Sequence, residues 1–344
     1  MLSRRTFLYA SSSAAFAGGS VARLDGTRLA PDAIEREVSR LMKAAGIPGL
    51  CVAVLNQGRT VYLHGFGLRN IEESKPMTVD TIMYGASFTK AAFAYMVMQL
   101  VDETVLNLDR PLNGYLPKPL AQYEKYSDLA NYESYKKITP RMLLAHTAGF
   151  PNFRFLNSDQ KLDIKFEPGT RYAYSGEGIN LLGFVIEVVT GKSIGDLMKT
   201  RVFDKLRMTR TSMTWQPEFE SNHGVGYDEQ LRPLGHNRRQ NPRAAGSMDT
   251  TISDYAKFIE AVLQRRGLSA KSWDTMLSPQ IRIHSKQQFP TLLPEIPGLH
   301  DKIQLSYGLD WASSSQRMEG PISKKGTTMG GRITRYALTA IGLE

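Results

Sequence analysis

The hydrophobic positions follow a helical period early in the chain and then change to two short apolar runs. Between residues 31 and 46 the apolar side chains recur every three or four positions, and the stretch ends at Gly46, a residue type that favours a helix end. The runs 49–55 and 60–66 are rich in strand-forming residues and are separated by Asn56-Gln57-Gly58-Arg59, which is typical of a tight turn. The pattern predicts an amphipathic helix followed by a β-hairpin.

A longer apolar segment follows a short strand-like run at residues 81–84. From residue 91 to residue 100 only Gln99 is polar, so a helix here would be apolar on every side. Such a helix belongs in a protein interior. The polar residues just before it include Ser87 and, three positions later, Lys90. We expect the rest of the chain to be organised around this segment.

The remainder of the chain is predicted to be mostly helical, with strand character only near its end. The predicted helices lie within residues 141–146, 166–204, 253–263 and 269–277, and the predicted strands at 304–311 and 332–341. We therefore expect an α/β fold in which the two ends of the chain share one antiparallel sheet flanked by helices. Residues 23–84 and 301–344 would form the sheet region, and residues 85–300 an inserted, mostly helical region.

Composition is that of a globular protein with a substantial core. The chain has 344 residues, 42% hydrophobic and 22% charged, which suits one large domain or two interlocked ones. The formal net charge is +10, yet no run of five like charges marks a nucleic-acid-binding arm. The basic group Arg238, Arg239 and Arg243 is predicted to lie on a solvated loop. A single cysteine and scattered histidines predict neither a disulfide nor a metal site, and no motif requires a cofactor.

Residues 1–22 are expected to be an export signal. Ser3-Arg4-Arg5-Thr6-Phe7-Leu8 is a twin-arginine pattern, and a weakly apolar stretch of alanine, serine and glycine follows it. Ser20 and Ala22 are small residues at the positions that a signal peptidase reads. The pattern predicts an exported protein, periplasmic or extracellular. The alternative is that an uncleaved segment anchors the protein, which would be its one contact with a membrane.

Ser87 and Lys90 are the first candidates for chemistry. If Ser87 opens a helix, the two side chains lie one turn apart on the same face, and the amine can reach the hydroxyl. Serine is a weak nucleophile, and a buried amine whose pKa has fallen towards neutrality could take its proton. The backbone N–H of Ser87 would then be free to bind an oxyanion. The same spacing also fits a serine that merely caps a core helix and a lysine that reaches solvent.

Two further stretches could complete such a site. Tyr174 precedes a predicted helix, and a tyrosine beside a lysine cation can have its pKa lowered enough to relay protons. Alone it could equally be a packing aromatic residue. In Lys324-Lys325-Gly326-Thr327 the glycine would let a substrate lie against the backbone, and the N–H of Thr327 could be a second oxyanion donor. Alone this stretch is a turn with solvated lysines.

Several motifs occur along the chain in a fixed order: YGASFTK at 84–90, LNLDRPL at 106–112, LLAHTAGF at 143–150, AAGSMDTTISDY at 244–255 and YGLDW at 307–311. In these motifs the chain resembles the serine β-lactamase-related hydrolases, which include class C β-lactamases, D-alanyl-D-alanine carboxypeptidases and β-lactamase-like esterases. The resemblance implies the fold of β-lactamases and penicillin-binding proteins, and an acyl-enzyme reaction on a small ester, peptide or β-lactam substrate. It gives catalytic, oxyanion-binding or substrate-binding roles to Ser87, Lys90, Tyr174, Lys324, Gly326 and Thr327.

The chain departs from the family pattern at two places. Gly176 falls where the family usually has an asparagine that holds the substrate's acyl-amide carbonyl, so this substrate-binding position lacks an amide and favours esters. The chain also ends at Glu344, soon after Gly326, where similar proteins continue with more sheet and a closing helix. The C-terminal part of the fold is therefore expected to be short. The competing hypothesis is a non-catalytic protein that binds cell-wall peptides or β-lactams.

Overall fold

A computed structural model describes the chain at residues 21–22, 28–313 and 338–343. The twin-arginine pattern and the Lys324 to Thr327 stretch lie outside these residues. Within them the α-helices are α1 (Pro31–Ala45), α2 (Phe88–Asp102), α3 (Pro140–Leu144), α4 (Gly176–Thr190), α5 (Ile194–Met198), α6 (Ile252–Leu263) and α7 (Ala270–Leu277). No helix in this part of the chain is long and apolar enough to cross a membrane.

The helix boundaries follow local sequence signals. Thr139 precedes α3 and Ser269 precedes α7, and each side chain accepts a hydrogen bond from a backbone N–H of the first turn. Gly46 and Gly191 end α1 and α4 with φ angles of 62° and 65°, a region that glycine enters without steric cost. The predicted helix end at Gly46 and the predicted helix within residues 269–277 are confirmed.

The described strands are β1 (Val21–Ala22), β2 (Arg28–Leu29), β3 (Gly49–Asn56), β4 (Arg59–Asn70), β5 (Lys75–Pro76), β6 (Met83–Tyr84), β7 (Gly226–Tyr227), β8 (Pro233–Leu234), β9 (Asp249–Thr250), β10 (Ile281–Arg282), β11 (Ser306–Tyr307), β12 (Ala312–Ser313) and β13 (Leu338–Leu343). The largest sheet has the order β13-β3-β4-β5. Strands β3 and β4 form the predicted hairpin, with Asn56 opposite Arg59. Gln57 and Gly58 fill the turn at φ angles of 49° and 69°, and this turn type matches the twist of paired strands.

The end of the chain joins this sheet, as predicted, but in a different arrangement. Strand β13 runs parallel to β3, with Leu338 opposite Cys51, whereas the neighbouring pairs β3–β4 and β4–β5 are antiparallel. The expectation that residues 304–311 also belong to this sheet is wrong, because β11 pairs with β10 and β12 in a separate sheet. The chain turns back within the predicted strand, where Asp310 has a φ angle of 66° and the Gly308 N–H donates to the Trp311 carbonyl.

Helix α2 lies in the protein core, and every residue from 89 to 98 is buried. It contacts α5 and α7, while α6 packs on strands β3 and β13. Just before α2, strand β6 pairs with β9, with Tyr84 opposite Asp249. This pairing brings the segment that precedes β9 beside the start of α2, although the two are far apart in sequence.

Candidate active site

Ser87 lies where strand β6 passes into helix α2. Its φ and ψ angles are −71° and −6°, and its hydroxyl makes no capping hydrogen bond to the helix. Within the described residues its backbone N–H donates to no acceptor. Ala86, just before it, has a φ angle of 43°, which costs an L-residue roughly 1–2 kcal/mol. The interpretation of Ser87 as a simple helix cap therefore does not describe this residue.

Lys90 is enclosed by the protein and does not reach solvent, because only 1% of its surface is exposed. Its Nζ donates to Ser87 Oγ at 2.9 Å and to the Ala245 carbonyl at 2.5 Å. The first contact follows from the one-turn spacing, and the second joins residues that are 155 positions apart. A buried amine that is hydrogen-bonded to a serine hydroxyl can exchange a proton with it.

Tyr174 lies just before α4, with its ring centre 4.9 Å from Lys90 Nζ. Burial raises the pKa of Tyr174 well above its ordinary value, the negative charge of Asp310 raises it further, and a hydrogen bond with Ser87 acts in the opposite direction. The expectation that a neighbouring lysine lowers the pKa of Tyr174 is therefore wrong, because burial disfavours the phenolate more strongly. Tyr174 is a neutral phenol beside the nucleophile.

A buried pair that the sequence did not reveal lies behind Tyr174. The ring of His146 is 4.5 Å from that of Tyr174, and its Nδ1 accepts the Ser175 N–H at 3.2 Å. The ring proton must then lie on Nε2, which is 3.3 Å from Asp310 Oδ1. Tyr307 also donates its hydroxyl to Asp310, at 3.0 Å. In the sequence, His146 and Asp310 each lie inside a motif that resembles the family pattern. Those motifs do not indicate that the two side chains are in contact.

A cavity of about 470 Å³ opens over Ser87, within the usual size range of small-molecule sites. Its walls come from β6, the start of α2, the loop after α3, the N-terminal part of α4 with the residues just before it, the segment before β9, and the loop that contains Phe289. The residues that line it are Tyr84, Ala86, Ser87, Asn152, Phe153, Tyr174, Asn180, Asn237, Arg239, Gln240, Asn241, Arg243, Ala245, Gly246, Ser247 and Phe289.

One of these lining residues corrects an expectation. Arg239 and Arg243 were both assigned by sequence to a solvated loop, and both line the cavity. Arg243 is exposed, as predicted, whereas Arg239 is not. Arg239 is mostly buried, with its guanidinium 4.2 Å from the centre of the Tyr84 ring. The pairing of β6 with β9 brings this loop to the nucleophile, and no local pattern of charge reveals such a pairing.

Gly176 is the first residue of α4 and is not among the lining residues. Its N–H donates to Asn152 Oδ1 at 2.9 Å. A Cβ atom at Gly176 would lie 2.6 Å and 2.7 Å from two carbons of the Phe153 ring. Phe153 therefore occupies the space that an asparagine side chain would need, and Asn152 and Phe153 form the cavity wall in front of Gly176.

The remaining predicted site residues, Lys324, Gly326 and Thr327, lie outside the described residues, and their roles stay predictions. In the part of the chain that the structure describes, no group of three or more His, Cys, Asp or Glu side chains could hold a metal ion. The described chemistry is thus that of a serine, a lysine and a tyrosine beside a cavity.

The profile of the family described as Beta-lactamase matches residues 34–343. The chain belongs to the beta-lactamase family. It is similar to a beta-lactamase of Escherichia coli (strain K12), with 26% identity over 255 residues, which cover 70% of this chain and 63% of that protein. It is also similar to a lovastatin esterase of Penicillium rubens, with 25% identity over 331 residues, 81% of this chain and 82% of the esterase.

Solved structures of this family share the fold. An octameric penicillin-binding protein homologue from Pyrococcus abyssi superposes with a TM-score of 0.64 and 24% identity, covering 83% of this chain and 65% of that chain. The predicted fold of β-lactamases and penicillin-binding proteins is therefore confirmed. This chain spans only 38–63% of the length of several curated beta-lactamase-family relatives that it matches.

Proposed function

We propose that this beta-lactamase-family chain is a serine hydrolase that forms an acyl-enzyme on carboxylic esters, with amides and lactams as poorer substrates. The observation that carries the proposal is the 2.9 Å contact between Lys90 Nζ and Ser87 Oγ at the wall of the cavity. Burying a lysine amine away from solvent destabilises the folded protein, because the amine is costly to desolvate. A role as the base for the adjacent serine explains why a lysine is found at this position.

In the proposed acylation, Ser87 Oγ attacks the substrate carbonyl while its proton passes to the neutral amine of Lys90. Tyr174 donates its phenolic proton to the leaving oxygen and receives the proton that Lys90 took, so the alcohol leaves neutral. The raised pKa of Tyr174 suits a proton donor, since the phenol is fully protonated at neutral pH. Lys90 is the base in this scheme and Tyr174 the acid.

The oxyanion that forms during the attack needs preorganised donors. The N–H of Ser87 has no acceptor among the described residues and is the first donor in the proposal. The N–H of Thr327 is the second. In deacylation, water attacks the acyl carbonyl, gives its proton to the Lys90 and Tyr174 pair, and Ser87 leaves with a proton returned from that pair.

The preference for esters rests on Gly176 and on one relative. No side-chain amide is present at Gly176 to hold an amide or lactam substrate, and the Phe153 ring covers that position with apolar surface. The similar protein that matches over most of both chains is named for ester hydrolysis. We extend this activity class, though not that protein's substrate, to the present chain.

The test combines covalent labelling with turnover. The purified protein and its Ser87→Ala variant are exposed to a fluorophosphonate, and intact mass is measured. Hydrolysis of p-nitrophenyl butyrate, a chromogenic cephalosporin and a D-alanyl-D-alanine peptide is then measured on the same samples. We expect one adduct and ester turnover, both absent in Ser87→Ala, with slower hydrolysis of the lactam and the peptide.

Two other results would contradict the proposal. A folded parent that takes no adduct has no activated serine. A parent that takes the adduct or is acylated by the cephalosporin, yet turns over none of the three substrates, is a binding protein and not a hydrolase.

A further inference from the structure

The cavity wall carries positive charge and no described negative charge. Its polar lining consists of the serines and tyrosines near the nucleophile, five side-chain amides and the two guanidinium groups of Arg239 and Arg243. No aspartate or glutamate is among the described lining residues. A cavity that a neutral substrate fills has no need of two cations, because each loses hydration when the cavity is occupied.

Arg239 is the deeper of the two cations and is held in place. Its Nη1 donates to the Ser247 carbonyl at 3.1 Å and lies 3.6 Å from Asp249 Oδ2. The guanidinium also stacks over the Tyr84 ring at 4.2 Å. The buried carboxylate of Asp249 partly balances this arginine, so Arg239 contributes a fixed hydrogen-bonding face together with part of its charge.

Arg243 lies at the more exposed part of the wall, and its charge is not balanced. It forms no salt bridge with any described residue. Its backbone N–H donates to Ser247 Oγ at 2.9 Å, in a turn that also contains Ala245. Ala245 is fixed on both sides, since its carbonyl accepts Lys90 Nζ and its N–H donates to Asn180 Oδ1 at 3.0 Å. The turn therefore ties the position of Arg243 to the catalytic lysine.

The charge of both arginines reaches the residues next to the nucleophile. Burial raises the pKa of the Tyr84 phenol, and the positive charges of Arg239 and Arg243 act in the opposite direction. Tyr84 lines the cavity three positions before Ser87. An anionic group a few atoms from the scissile carbonyl would therefore experience both charges at once.

We infer that the substrate of this site carries a carboxylate, or a similar anionic group, that pairs with Arg243 and Arg239 while Ser87 attacks the carbonyl. The inference rests on the proposed hydrolase function and narrows its substrate class to anionic esters. The guanidinium of Arg243 supplies the unpaired charge, and Arg239 adds donors in a fixed plane. The surrounding amides hydrogen-bond the remaining polar atoms of the substrate.

Two matched pairs of esters test the inference. p-Nitrophenyl hydrogen adipate and p-nitrophenyl hexanoate differ by a carboxylate on the acyl side. 4-Carboxyphenyl hexanoate and 4-carbamoylphenyl hexanoate differ by a carboxylate on the leaving group. For each pair the kcat/KM of the anionic ester is divided by that of the neutral ester, after subtraction of the rate with Ser87→Ala.

We expect the parent to prefer the anionic ester about tenfold in at least one pair, and Arg243→Gln to reduce that preference about fivefold or more. The preference of the parent should also fall as the salt concentration rises from about 50 mM to about 500 mM, since partly exposed charges are screened. The matched control is Arg238→Gln. Arg238 lies on the same segment, but its side chain pairs with Glu220 and is absent from the cavity wall, so the preference should be unchanged.

The outcomes separate this inference from the proposed function. Ester turnover that depends on Ser87 without an anionic preference, or a preference that survives in Arg243→Gln, overturns the inference alone. A parent that neither reacts with the fluorophosphonate nor hydrolyses any of the four esters overturns the hydrolase function, and the inference fails with it.

Discussion

Replacing Lys90 by methionine should remove the acylation chemistry and leave the protein folded. Methionine is unbranched and similar in volume to the lysine stem, so it can fill the same buried space. The Ala245 carbonyl loses the donor that lies 2.5 Å away, and an unsatisfied buried carbonyl costs about 1–3 kcal/mol. Removing an amine from a buried position returns a comparable amount. We expect the free energy of unfolding to change by less than about 3 kcal/mol.

In Lys90→Met the acylation rate of Ser87 should fall by a much larger factor than the change in stability can explain. A general base contributes about 10²-fold to 10⁴-fold to catalysis, so the second-order rate constant of fluorophosphonate labelling at Ser87 should drop at least a hundredfold. Lys90→Arg keeps a cation but cannot act as a base at any working pH, and it should be inactive as well. If the charge alone mattered, Lys90→Arg would retain activity.

The assay pairs intact-mass labelling kinetics with urea unfolding followed by circular dichroism. Lys136→Met is the control, because Lys136 is an exposed lysine whose side chain pairs with Glu133 and is absent from the cavity wall. It should match the parent in both measurements. A folded Lys90→Met protein that reacts within about threefold of the parent rate would show that Lys90 is not the base.

Three further predictions follow from the same region. Gly176→Asn should destabilise the protein by about 1–3 kcal/mol in urea unfolding, because the added Cβ would lie 2.6 Å from the Phe153 ring. Adding Phe153→Ala should restore most of the lost stability. Equal stability of Gly176→Asn and the parent would contradict this prediction. Ala86→Gly should raise the free energy of unfolding by up to about 1 kcal/mol, because glycine relieves the strain at a φ angle of 43°, whereas a destabilised variant would show that no strain is stored there. Burial raises the pKa values of Tyr174 and Tyr307, so the unfolded chain loses these two protons at a lower pH than the folded protein does. The free energy of unfolding should therefore be unaffected by these groups below about pH 10 and should decline above it by up to about 1.4 kcal/mol per tyrosine per pH unit. Unfolding measured between about pH 9 and pH 11 checks the decline, which Tyr307→Phe should reduce.

Features that depend on neighbouring residues could be predicted from the sequence alone. The one-turn spacing of Ser87 and Lys90 brings their side chains together in any helix that begins at Ser87, and the structure has this contact. The turn at Gln57-Gly58 and the helix stop at Gly46 also depend on local backbone preferences. Each of these features involves residues close in the chain, so a pattern in the sequence is sufficient to indicate it.

Features that depend on long-range packing were decided by the tertiary structure. Tyr174 is a neutral phenol because it is buried and because the negative charge of Asp310 lies nearby. The spacing of these two residues in the sequence indicates neither the burial nor the contact. Arg239 and Arg243 line a cavity beside Ser87, in a fold where β6 pairs with β9, and the charge pattern of their loop does not reveal that pairing. The sequence by itself determined which residues could react, since reactivity begins with residue type and local spacing. The fold decided their charge state and the charge of the surface that faces the substrate, because both depend on which distant residues exclude water from the site.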